Sequence, residues 1–203
     1  AFSKRHPVVF GSVLAALKTG GADYFVQRCF EERDHADVQW ARVAAFTLFG
    51  AGYLGCVQYF VYVRAFTRVL FPRAKAFLDM PVRARLRDAR GLRDSLGQVA
   101  LDSFVHAPFM YFPAFYACKG AVEARGAPGC IDAGIAKWRA NLWDDMLEYW
   151  KVWSPAQLVN FTLLPGHMRI PFIAAVSLFW TVLLSLARGD DGQGRAHGGG
   201  GGA

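Results

Sequence analysis

Cysteine is sparse and unpatterned. Cys29, Cys56, Cys118 and Cys130 form no CxxC pair and have no histidine at ligand spacing. That excludes a disulfide framework and a zinc site, and leaves four thiols to be read as buried side chains. Charge is also thin, at 19% of 203 residues, against roughly 25% in an average soluble domain. No secretory signal pattern is visible at the start of the chain.

Apolar and aromatic residues fill the space, at 54% and 15%, with six Trp and seventeen Phe. Tyr and Trp favour sites where one end of the ring is dry and the other wet, as at a membrane interface. The net charge of +7 fits nucleic acid, an anionic lipid surface or the positive side of a membrane protein.

The distribution of the apolar residues decides among these. Residues 43–63 contain Gln58 as their only strongly polar member, a length that crosses the ~30 Å hydrocarbon core as a helix. Residues 170–187 form a second apolar run, bounded by Arg169 and Arg188. Two further runs are interrupted: 7–30 carries Lys18, Asp23 and Gln27, and 96–118 carries Asp102, His106, Pro108 and Pro113. Both make sense as membrane helices whose polar groups face protein or water.

Residues 131–153 place Ile135, Trp138, Leu142, Met146, Trp150 and Trp153 on one helical face, with charges interleaved. This predicts an amphipathic helix lying in the interface plane. The expected architecture is therefore an all-α membrane domain over 1–188, with four transmembrane helices, a Trp-rich interfacial helix and a flexible glycine-rich tail at 189–203. Lys and Arg concentrate in the amino terminus, the 64–94 connector and the tail. The positive-inside rule then predicts both termini in the positive compartment.

Several patterns invite a functional reading. Gly50, Gly52 and Gly55 spell GxGxxG inside an apolar span. They lack the strand–turn–helix context of a dinucleotide site and read as small residues for close helix packing. Asp102 and His106, like Asp23 and Gln27, are four residues apart and share a helix face. Each pair reads first as interhelical glue and second as a proton relay or polar pathway. Ser103 beside His106 has no orienting third group or oxyanion hole, so a hydrolase dyad is discarded; no catalytic residue, metal or cofactor is expected. Arg83, Arg87 and Arg90 form a basic stripe suited to anionic lipid, and no nucleic-acid module accompanies it.

The carboxyl-terminal third carries a more specific pattern: Trp150, Trp153, Pro155, Gln157, Asn160 and Phe161, then Pro165, His167 and Arg169, then Trp180 and Ser185. This resembles the Mpv-seventeen / 22-kDa peroxisomal membrane protein family, whose hallmark is a Trp-Pro-x-x-Gln-x-x-Asn-Phe run followed by Pro, Arg and a late Trp. His6–Pro7, Gly21 with Asp23 and Gln27, and Leu101–Asp102 with Pro108 are similar to its other elements. The chain departs from it where Ser154 displaces Pro155 by one position, and where Ser103 stands in place of a usual Gln. It departs again where Cys56 falls near a usual Gly-Pro, where Tyr59–Phe60 replaces Trp-Tyr, and where an extra residue parts Gly21 from Asp23.

The resemblance implies a four-span protein of the mitochondrial inner membrane, or alternatively of a peroxisomal or plastid membrane, with a channel-like or metabolite-permeation role. Asp23, Gln27, Gln58, Asp102, His106, Gln157, Asn160 and Arg169 are then the interior polar groups. A second reading is an accessory subunit of a large respiratory or photosynthetic membrane complex. Expected partners are the bilayer, anionic lipid, and either further copies of the chain or the subunits of such a complex.

Overall fold

The computed structural model describes residues 5–162, 164 and 166–188, and all regular structure among them is helical. The glycine tail and Pro165 lie outside the described residues, as do the side chains of Phe161 and Arg169.

Helix α1 (Pro7–Cys29) opens with Pro7 in its first turn, where a missing N–H leaves no bond unmade. A short 3-10 turn, His35–Asp37, leads into α2 (Trp40–Leu70). The basic connector folds as α3 (Ala74–Asp79) and α4 (Val82–Arg85). Helix α5 covers 89–123 in three contiguous segments, Ala89–Leu101, Asp102–Tyr111 and Phe112–Glu123. Asp88 caps it by accepting the Gly91 N–H at 3.1 Å. After α5, Gly126 takes a left-handed φ of +72° and returns its N–H to the Ala121 carbonyl at 2.8 Å. Helices α6 (Cys130–Thr162) and α7 (Gly166–Arg188) complete the chain.

Helices α2 and α5 depart from the α repeat over Gly50–Val57, Phe60–Leu70 and Asp102–Tyr111. There the bonds widen to i→i+5, as where Gln58 N–H reaches Tyr53 O, Phe71 N–H reaches Phe66 O, and Phe112 N–H reaches Ala107 O. Pro108 supplies a local cause in α5, because it has no N–H to give and its ring crowds the preceding turn. Wide turns of this kind concentrate at functional sites.

The five long helices alternate in direction. Phe46 meets Phe115 while Tyr53 meets His106, so α2 and α5 are antiparallel. A Cβ at Gly134 would meet Tyr116, and Trp150 donates to the Ser103 carbonyl at 3.1 Å, so α6 runs back along α5. Lys18 reaches Ser177 and Ser185 reaches Asp23, so α1 and α7 are parallel.

Two expectations change as a result. Residues 131–153 are the first part of α6, and their apolar face meets α5 rather than headgroups, with Met146 and Tyr149 in the core. The charges on 131–153 prompted the interfacial reading, yet Asp145 is buried and accepts from Tyr116 Oη at 2.8 Å. Because α6 is a full antiparallel member, α1 starts at one end of the bundle and α7 finishes at the other. The two described ends therefore do not share a side.

The bundle is apolar outside and polar inside. Val13, Leu14 and Leu17 on α1, Phe104 and Phe109 on α5, and Phe179 on α7 are all exposed. Asp23, Gln27, Arg42, Asp102, His106 and Ser185 are buried. Large exposed apolar surface of this kind marks contact with lipid or protein. By length and apolar composition, Trp40–Leu70 qualifies among the described residues as able to cross a membrane, and Phe172–Ala187 is a shorter apolar helix. The charged residues inside α1 and α5 keep both below that standard, as the interrupted runs anticipate.

The glycine pattern in α2 works as the sequence implies. A Cβ on Gly50 would stand 2.7 Å from the Ala15 carbonyl oxygen, and one on Gly55 would stand 2.2 Å from Ser12 Cα. These contacts are with α1 backbone, which cannot step aside. A Cβ on Gly21 or Gly52 would meet nothing within 4 Å. Gly50→Ala and Gly55→Ala should each destabilise the protein by at least the ~1–3 kcal/mol of core overpacking, whereas Gly21→Ala and Gly52→Ala should not. Thermal melts in detergent followed by tryptophan emission distinguish these outcomes; equal losses at all four positions would contradict the close approach of α1 and α2.

Candidate functional site: a polar chamber in the bundle

Two polar clusters occupy the interior, and they differ in kind. The first ties α1, α2 and α7 together near one end. Asp23 and Gln27 are fully buried, and Gln27 Nε2 donates to Asp23 Oδ2 at 2.9 Å. Arg42 Nε donates to Asp23 Oδ1 at 2.7 Å, and Ser185 Oγ donates to the same oxygen at 2.5 Å. The Arg42 fork also grips Glu31, at 2.7 and 3.2 Å. Gln27 Oε1 accepts from the Gln39 backbone N–H at 2.7 Å, fixing the entry to α2. Every charge here has a partner, so Asp23 and Gln27 are interhelical glue. Sequence reasoning missed Arg42 and Glu31 and saw Ser185 only as part of the carboxyl-terminal motif; the signal was an arginine directly ahead of the 43–63 apolar run.

The second cluster centres on Asp102, in the wide-turn segment of α5. Its side chain is 6% exposed. Oδ1 accepts from the Tyr62 hydroxyl of α2 and bonds His106 Nδ1 at 2.8 Å, while Oδ2 accepts from the Tyr149 hydroxyl of α6 at 2.8 Å. His106 Nε2 bonds the Tyr53 hydroxyl at 3.0 Å. A hydrogen-bonded chain thus runs Tyr53–His106–Asp102–Tyr149 across α2, α5 and α6. Both imidazole nitrogens are engaged, which leaves neither for Ser103 and agrees with discarding the hydrolase dyad.

Unlike the first cluster, this one borders empty space. A cavity of about 240 Å³ is lined by Gln58, Tyr62, Asp102, His106, Tyr149, Trp153, Gln157, Ser177 and Thr181, among others. A second, of about 290 Å³, is lined by Phe66, Leu78, Gln98, Val99 and Asn160, and shares Tyr62, Asp102, Gln157 and Ile173 with the first. The two share these wall residues and together, as the chamber of this bundle, extend from α3 and the start of α5 towards the bundle centre. It ends at Tyr111, Tyr149 and Trp180, members of an aromatic cluster whose further rings, Phe46, Phe112 and Phe115, are fully buried.

The carboxyl-terminal motif forms one wall. Trp153, Gln157 and Asn160 follow each other on the inward face of α6, and Trp180 of α7 donates from Nε1 to the Tyr111 hydroxyl at 3.1 Å. Pro155 is exposed on the opposite face and does not interrupt the helix. Comparison with protein families matches this same region, residues 128–185, to the Mpv17 / PMP22 family.

Over those residues the chain is similar to the Mpv17 / PMP22 family. Protein SYM1 of Debaryomyces hansenii is 24% identical over 181 residues, covering 89% of this chain and 82% of the relative. PXMP2/4 family protein 3 of Dictyostelium discoideum is 35% identical over 92 residues, 45% of this chain and 47% of its own. Protein sym1 of Schizosaccharomyces pombe is 33% identical over 97 residues, 48% of this chain and 45% of its own. The stronger identities thus span about half of the relatives' length. No solved structure matches the chain. The departures from that family's pattern at Ser103 and Ser154 are mild in effect. The Ser103 carbonyl accepts from Trp150, and the displaced proline faces outward.

Among the basic residues, Arg83, Arg87 and Arg90 are exposed, as expected of a stripe. Arg85 is the exception, buried with Nη2 donating to the Leu164 carbonyl at 2.8 Å. It pins the connector to the α6–α7 link, and burial lowers its pKa.

Glu31, in the loop between α1 and α2, makes a pH prediction through its contact with Arg42. Partial burial works to raise the Glu31 pKa, but the hydrogen bonds and charges of Arg42 and Arg33 prevail and hold it below the usual value. A depressed carboxylate pKa contributes stability above the unfolded value of ~4.3 and loses it as pH falls through the folded value. Glu31→Gln should therefore cost about 1–3 kcal/mol at neutral pH. The gap to wild type should stay constant down to about pH 5 and narrow below it. Melting temperatures across pH 3–7 check this; a gap that widens in acid would reverse the assignment.

Proposed function

We propose that this protein is a permeation pathway for small solutes, and that the Asp102 chamber is part of the route. The reading rests on one observation: the motif residues Trp153, Gln157 and Asn160, together with Asp102, line cavities that share part of their walls inside a bundle with large exposed apolar faces. A buried polar cavity in such a bundle is an expensive feature to keep without a use. Its membrane is mitochondrial or peroxisomal, and the mitochondrial inner membrane is the assignment we adopt.

In this reading the bundle stands across the bilayer, with α1, α2, α5 and α7 presenting apolar faces to lipid. Helix α6 crosses with them but keeps Lys137, Arg139, Asp144, Glu148 and Lys151 on its exposed side, so that side turns from lipid towards a second copy of the chain. The exposed Arg83, Arg87 and Arg90 sit at the end where the chamber begins, and they anchor that end to anionic lipid. The accessory-subunit reading draws no support from the matched relatives, whose names give the family alone.

Purified protein in planar bilayers should raise conductance above that of protein-free membranes. Asp102→Asn should change that conductance at least severalfold, because it removes the acceptor that organises Tyr62, His106 and Tyr149 at the wall. Asp23→Asn, in the glue cluster, should alter stability while leaving the unit conductance of the folded fraction intact. Absence of current from wild-type protein throughout pH 5–8 would sink the pathway.

A further inference from the structure

The outer side of α6 carries a repeat that packing within the bundle does not use. Ala133, Ala136, Ala140, Trp143 and Leu147 are all exposed, Trp143 by 71% and Leu147 by 50%. They follow one another at alternating steps of three and four residues, so at ~100° per residue they form one strip along the helix. The strip lies opposite Asp145 and Tyr149, which are buried and bonded to α5. Such alternation is what keeps one seam of a helix against a neighbouring helix. The alanines let two backbones approach closely, and Trp143 and Leu147 supply apolar area.

Charge borders the strip on both edges. Asp132 and Arg139 stand on one edge, Lys137 and Asp144 on the other, and all four are exposed. None has a hydrogen bond or ion pair with a described residue, whereas Lys151 is held by Glu148 at 2.6 Å. Arg139 and Asp144 lie between two and four turns into α6, which in the proposed orientation is within the depth of the hydrocarbon core. There they call for countercharges that lipid tails do not have.

The same four charges answer one another across two copies. In a parallel pair of helices, position g of one lies beside position e of the next heptad in the other. With the strip as a and d, Asp132 and Arg139 occupy g, and Lys137 and Asp144 occupy e. Asp132 then meets Lys137 of the second copy, and Arg139 meets its Asp144; two-fold symmetry repeats both pairs. Sliding one copy by a heptad breaks the match. In one direction Asp132 faces Asp144 and Arg139 faces Lys151; in the other Arg139 faces Lys137. Charge thus selects a single register.

We infer that the outer face of α6 is a self-association surface, on which a second copy of the chain docks with its own α6 parallel and in register. This rests on the proposed placement of α6 across the bilayer, where copies of one topology run the helix in the same direction, but its test needs no transport. Ala133→Cys, Ala140→Cys and Leu147→Cys, each oxidised with copper phenanthroline in liposomes, should all give dimers above the wild-type background. Phe109→Cys, on the exposed face of α5, should not. In sedimentation of the full-length protein in micelles, Arg139→Asp and Asp144→Arg should each weaken self-association about tenfold or more by setting like charges together. The double variant should restore it. Both side chains are exposed, so the bundle itself is left intact.

Three results would overturn the seam: a monomeric wild type, cross-links confined to one of the three positions as in an antiparallel pair, or a double variant no better than the single ones. Conductance from a protein that stays monomeric would remove the seam and spare the pathway. Association without conductance would do the reverse.

Discussion

A single, almost fully buried carboxylate sets the terms for much of this molecule. An ionisable group at the centre of an apolar bundle costs several kcal/mol unless donors surround it. Asp102 draws those donors from three helices: Tyr62 of α2, His106 of its own α5, and Tyr149 of α6. The cavities border this carboxylate and its donors. The wide turns of α2 and α5 fall in the same region. Elsewhere the helices approach closely. Gly50 and Gly55 let α1 lie directly on α2, and Gly120 and Gly134 do the same for α5 and α6.

The two polar clusters show how similar sequence patterns reach different ends. Asp23–Gln27 and Asp102–His106 share a spacing of four, and both face inward. Around Asp23, an arginine supplies a full countercharge with several donors in a fixed fork, and packing closes over it. Around Asp102 no arginine or lysine among the described residues is in contact; tyrosine hydroxyls and an imidazole share the task, and the remaining volume stays open. The partner residues, not the spacing, separate glue from site.

That distinction explains what could be read from the sequence. Helical content, the close-packing role of Gly50 and Gly55, and the inward direction of Asp102, His106, Gln157 and Asn160 were all legible, since each depends on period and local composition. Tyr53, Tyr62 and Tyr149 were not, because a tyrosine inside an apolar run counts as one more hydrophobic residue until a neighbouring helix reveals its hydroxyl. The wide turns also disrupt the ordinary period, so residues 60–70 and 102–111 present faces that a 3.6-residue rule does not forecast. Helix α6 was misread for another reason. Its charges were assigned to headgroups, although Asp145 belongs to the core and the others lie along one outer side.

The aromatic floor has a kinetic meaning for the pathway proposed above. Tyr111 and Trp180 are locked to each other by a 3.1 Å hydrogen bond, with closely packed rings around them. A solute crossing the bundle past them would need those rings to turn together. Throughput would then be capped by how often a cooperative rearrangement of side chains occurs, not by diffusion down an open tube.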